Sequence, residues 1–164
     1  MPRLRAWRAG AFASVAALGL WAGRVDPWAM YLLPGPRVPT ATGSARLQFA
    51  ASPFGAAVTR DGRLRYDIRV TAGGLPDPTT LGDYHAYVAW EVSTDLAQWH
   101  RLGVVGNGTT VVGEADWNKF LLVITAEADS MPAAHQGPTV LHGHSPSALL
   151  QQFLTHPLFR GISQ

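Results

Sequence analysis

Hydrophobic and polar residues alternate strictly from residue 63 to 71, with Leu64, Tyr66, Ile68 and Val70 on one side and Arg63, Arg65, Asp67, Arg69 and Thr71 on the other. A period of two marks a strand with one buried and one wet face. Leu47, Phe49 and Ala51 alternate with Arg46 and Gln48 in an earlier strand. Between residues 56–60 and the 63–71 strand stands Asp61-Gly62, a dipeptide that tolerates the positive φ of a tight hairpin turn. Residues 84–93 are apolar at nearly every position, as suits a central strand covered on both sides. Residues 100–105 and 109–113 flank Gly106-Asn107-Gly108, a second hairpin signal, and residues 120–126 and 139–143 supply the last strands. Seven or eight short strands with no helix between them predict an antiparallel, immunoglobulin-like β-sandwich over residues 45–144.

The period changes near the C-terminus. Ser145 is placed to cap a helix, Pro146 suits its first position, and Leu149, Leu150, Phe153 and Leu154 form one apolar stripe before Pro157. Residues 145–164 are therefore read as a short helix and a tail, the tail carrying the apolar pair Leu158 and Phe159.

At the other end Arg3, Arg5 and Arg8 precede an apolar run over residues 9–23, followed by Arg24 and Asp26. A basic start before an apolar segment reads as an export signal or a membrane anchor. Leu20-Trp21-Ala22 and Trp21-Ala22-Gly23 put a large side chain in the window where cleavage wants small ones, while a cut after Ala17-Leu18-Gly19 leaves a very short apolar core. Retention as a signal-anchor is thus the expectation for residues 1–33. Trp7 and Trp21 sit about 21 Å apart along a helix, short of a hydrocarbon core of roughly 30 Å. Trp28, Met30, Tyr31, Leu32 and Leu33 are expected to finish the span or lie in the interface. Pro34, Pro36 and Pro39 make residues 34–44 a stiff linker. The arginines keep the N-terminus cytoplasmic, which places the β domain in the periplasm on the inner membrane.

Charge agrees with that division. Four of the 13 basic residues lie within residues 1–24, which leaves nine against all 11 acidic residues over residues 25–164, a balance of −2. Nucleic-acid binding, which needs a basic stripe on the folded part, loses its support. Cysteine is absent, so neither a disulfide nor a thiolate is available.

Chemistry finds little purchase. Among the histidines the best metal-ligating cluster is His142 and His144, two residues apart on one strand face, with His135 and Met131 upstream. Without a cysteine or a third ligand at a recognisable spacing, no metal is favoured there. His85 and His100 read as strand-edge residues, and Asp77, Asp83, Asp95 and Asp129 as turn caps. No Gly-x-Ser-x-Gly elbow or helix-opening glycine loop is present. The expectation is a non-enzymatic protein with no cofactor. Trp99 and Trp117, in connections, are candidate contact residues alongside Trp7, Trp21, Trp28, Tyr31, Leu32, Leu33, Leu158 and Phe159.

Tyr87-Val88-Ala89-Trp90, Leu102-Gly103, residues 123–127 and residues 137–141 occur in an order that resembles the extracytoplasmic C-terminal domain of anti-sigma-K-type regulators. The resemblance implies a periplasmic sandwich behind a single membrane helix. The apolar run begins at residue 9, so a counterpart of that family's sigma-binding domain, and with it sigma-factor inhibition, is not expected. Ser52-Pro53-Phe54-Gly55, Leu81-Gly82-Asp83-Tyr84 and Asn118-Lys119-Phe120-Leu121 are similar to periplasmic modules linked to multicopper oxidases. A weaker similarity runs to membrane-extrinsic accessory subunits of photosynthetic reaction-centre and antenna complexes. Two functions follow as expectations: an accessory subunit that braces an integral membrane complex, held to the bilayer by its leader, or a copper or redox accessory protein using His142 and His144.

Overall fold

The computed structural model describes residues 26–53 and 55–155. Along the chain come β1 (Ala29–Pro34), β2 (Thr42–Phe49), the short pair β3 (Ala51–Ser52) and β4 (Gly55–Ala56), then β5 (Tyr66–Gly73), β6 (Ala86–Val92) and β7 (Trp99–Val105). They are followed by β8 (Gly108–Ala115), β9 (Leu121–Glu127), β10 (Thr139–His144) and one helix, α1 (Pro146–Thr155). The domain is mainly β and antiparallel, as the alternation predicts.

Eight strands form one sheet in the order β7-β6-β9-β10-β1-β2-β5-β8. The two halves that a sandwich would keep separate are joined by β1, whose residues Ala29 to Leu32 pair with β2 while Leu33 and Pro34 pair with β10. The expected immunoglobulin-like sandwich of two sheets is therefore not seen. A single sheet curls until its edge strands β7 and β8, consecutive in sequence, come face to face.

β1 corrects the reading of residues 28–33 as the end of a membrane span. Met30 and Leu32 are buried at 1% and 4% exposure, while Tyr31 and Leu33 point outward at 82% and 60%. This is period two in a stretch whose uniform apolarity, next to the leader, hid it. Residues 34–44 are likewise not a free linker. The Gly35 N–H donates to Val140 O, the Ala41 N–H donates to Val38 O, and Val38 and Ala41 are both buried. The prolines shape a packed connection inside the domain.

The main core fills the curl with the inward residues of each strand, among them Met30, Leu47, Ile68, Val70, Leu122, Ile124 and Leu141. A second, smaller core lies on the outer face of β6 and β9, built from Val88, Trp90, Val92 and Val123 with Trp99 and Leu121 against it. β6 is consequently buried at all seven positions, the double covering its composition predicts. Its length is apolar but for one residue, Glu91.

The seam between β7 and β8 stays open for a local reason. β7 bulges opposite Ala89 and Trp90, and β8 bulges opposite Ile68 and Arg69. At these bulges Gly103 and Gly113 let the backbones pass closely: a Cβ on Gly103 would stand 2.4 Å from Val112 O. Gly113 holds a φ of +139°, which an L side chain rarely adopts. Two bulges at the closest approach break the regular pleat that a continuous ladder needs. Beyond them the strands leave a cavity.

Candidate functional site

That cavity, about 270 Å³, is lined by Glu91 from β6, His100 and Arg101 from β7, and Glu114 and Asp116 at the end of β8. Glu91 sits on the inward face of β6 and is 2% exposed. His100 is its register partner across the β6–β7 ladder, and Asp116 arrives from the opposite edge of the seam. Ligand atoms of Glu91, His100 and Asp116 all lie within 4.8 Å of one another. The Trp117 N–H donates to Glu91 Oε1 at 3.0 Å, and the Trp117 indole leans on the His100 ring with centroids 4.4 Å apart. On the rim Arg65 pairs with Glu114, which takes up its charge.

Burial pushes the Glu91 carboxyl up to about 7, because charge is costly away from water. The Trp117 N–H opposes that rise, and the negative charge of Asp116 adds to it.

A second buried carboxylate, Glu127 on β9, is also 2% exposed but faces the outer core. Thr125 Oγ1 donates to its Oε1 at 2.6 Å, and the Trp90 indole N–H donates in turn to Thr125 Oγ1 at 2.8 Å. The backbone N–H groups of Gln136 and Gly137 donate to its Oε2 at 3.2 and 3.3 Å. Glu127 thereby fastens the loop between β9 and β10 onto the sheet. On that loop His135 stacks on Trp99 with centroids 3.6 Å apart. Beside the stack runs an apolar groove of about 620 Å³ between Leu96, Val123, His142 and Pro34 to Pro36.

On the other side of Trp117 from Glu91, the chain's two outward paths come together. Pro27 and Trp28 lead into β1, Pro146 and Ser147 lead into α1, and all four line one cavity of about 170 Å³ with Tyr66, Trp117 and Phe120. Trp28 packs edge-on against Phe49 at 5.2 Å, and Phe49 stacks on Tyr66 at 5.4 Å. Ser145 caps α1 as expected: its Oγ accepts from the Ala148 and Phe120 N–H groups. The helix buries Ala148, while Leu149, Leu150 and Leu154 are 40%, 60% and 68% exposed.

The sequence-predicted residues are scattered over these regions. His142 and His144 lie half-buried on β10, and Met131 is 70% exposed in the loop. Among the described residues His135, His142 and His144 join no group of three potential imidazole or carboxylate ligands. Trp99 opens β7 and packs on the outer core, and Trp117 packs against the main core. Leu32 is withdrawn into the core, so it offers no contact surface, whereas Trp28, Tyr31 and Leu33 remain exposed. Trp7, Trp21, Leu158 and Phe159 lie outside the described residues. Asp77, Asp95 and Asp129 each accept a backbone N–H two residues on, the turn-capping role expected of them. His85 stands exposed beside Asp83.

Glu91 and Asp116 were missed by the reading of the sequence. The usable signal was Glu91 itself, a lone charge in a doubly covered strand, where a carboxylate needs a partner. No protein-family model, curated protein or solved structure matches this chain.

Proposed function

We propose that this chain is a membrane-tethered, extracytoplasmic accessory subunit, non-catalytic, that braces a larger integral membrane complex. The observation that carries the reading is the convergence of the two outward paths. The segment arriving from the apolar leader and the helix with exposed Leu149, Leu150 and Leu154 meet at one cavity. Both apolar attachments thus leave the domain on the same side, the geometry a surface-held module needs. Tethering raises the effective concentration of that side at the membrane, so each contact can be weak. No helix of the described residues is long and apolar enough to cross a membrane, and the anchoring role falls to the leader, which lies outside them.

Purification of the full chain from its own membranes in mild detergent, with mass spectrometry of co-migrating proteins, tests this reading. A stoichiometric integral membrane partner is expected, and its yield should fall several-fold in a Leu150→Glu/Leu154→Glu variant whose β domain still folds. Release of the chain by osmotic shock, or migration alone in detergent, overturns it.

A further inference from the structure

The geometry points to a divalent transition-metal site, best suited to zinc, at the barrel seam, with Glu91, His100 and Asp116 as its protein ligands. The donor set comes first. One imidazole and two carboxylates are the ligand types that zinc accepts, and three protein ligands leave a fourth position for water or an exogenous group. Each comes from a different strand or strand end, so the set exists only because the sheet curls and fails to close.

Burial is the second, independent observation. Glu91 is 98% withdrawn from solvent, aimed into the cavity, and receives a hydrogen bond from Trp117 on Oε1. Among the described residues the ion pairs do not include it: Arg65 is engaged by Glu114, and Arg101, the other guanidinium lining the cavity, makes no ion pair with Glu91. A carboxylate in that setting lacks a compensating charge, and a cation supplies one. His100 is exposed and Asp116 half-exposed, so both side chains can move inward and an ion can reach the cavity from solvent. Some inward movement is required: zinc–ligand bonds of about 2.1 Å set ligand atoms roughly 3.4 Å apart, closer than the 4.8 Å envelope of the free site. The Trp117 ring against His100 limits how the imidazole turns and so orients it.

This site is separate from the His142/His144 pair considered from the sequence and does not depend on the tethering role. Calorimetric titration of the full, untagged chain in detergent with zinc at pH 7.5 tests it, with calcium and magnesium as comparison ions. One zinc per chain with a dissociation constant of about 1 µM or tighter is expected. Glu91→Gln and His100→Ala should each weaken it at least tenfold, while a His142→Ala/His144→Ala variant binds as the wild type does. Circular dichroism checks each fold, and because His100 is exposed its variant decides the matter even if the Glu91 change disturbs packing. Less than one zinc per chain, unchanged affinity in His100→Ala, or loss only in the His142/His144 variant overturns the assignment.

Discussion

Glu91 and Glu127 are buried to the same extent on neighbouring strands, yet their surroundings differ in kind. Glu127 is enclosed by donors: one hydroxyl and two backbone N–H groups converge on it, with the Trp90 indole supporting the hydroxyl. Glu91 receives only backbone N–H groups, from Trp117 at 3.0 Å and more weakly from Asp116, and its other neighbours are an imidazole and a second carboxylate. Donors converging on a carboxylate make it a structural fastening. Acceptors and a titratable ring gathered around one make it a place where a proton or a cation belongs. The contrast shows that burial of a charge does not indicate its role; the partners do.

The largest effect is expected at Glu127. Glu127→Ala leaves the buried Thr125 hydroxyl and the part-buried N–H groups of Gln136 and Gly137 without their acceptor, which should cost about 3–5 kcal/mol in all. Urea denaturation reads this directly, and a loss below that of Glu91→Ala would reverse the roles assigned to the two residues.

Glu91 should show itself through pH. Its carboxyl rises from 4.5 unfolded to about 7 folded, so folding favours the protonated form. That stabilisation is fully present below pH 4.5 and is lost as pH rises through 7. Glu91→Gln, neutral throughout, should match the wild type near pH 4. By pH 8.5, without added metal, it should be more stable by roughly 3 kcal/mol. Equal pH slopes for the two proteins would contradict the buried, weakly partnered carboxylate.

The smallest effect is expected on the rim. Arg65 and Glu114 are each more than two-fifths exposed, and exposed pairs contribute roughly 0–1 kcal/mol. Arg65→Ala should therefore leave the unfolding midpoint nearly unchanged in 0.15 M salt. A loss as large as that at Glu127 would mean that the pair closes the seam.

Much of the fold was legible in local pattern. The alternation at Tyr66, Ile68 and Val70 places all three inside the curl, and the Ser145-Pro146 signal begins α1. Local pattern failed at β1, where Met30 and Leu32 alternate within an apolar stretch continuous with the leader. It failed again at closure: the sharing of β1 between β2 and β10 is a pairing between distant segments that no short-range period encodes. The seam cluster inherits that limit. His100 can be set beside Glu91 by folding the hairpin around residues 93–98, but Asp116 reaches them only when β8 comes round to face β7. The contacts of Glu127 depend in the same way on a loop that returns across the outer face of the sheet.

The difference between the two carboxylates is tested most directly by thermal unfolding of the wild type, Glu91→Gln and Glu127→Gln with and without zinc at pH 7.5. At a hundredfold excess over the dissociation constant, bound zinc adds about 2.7 kcal/mol, a rise of several degrees in Tm. The predicted result is that rise in the wild type and in Glu127→Gln, whose starting Tm is lower, and its reduction by half or more in Glu91→Gln. The same zinc response in all three proteins, or none in the wild type, would contradict it.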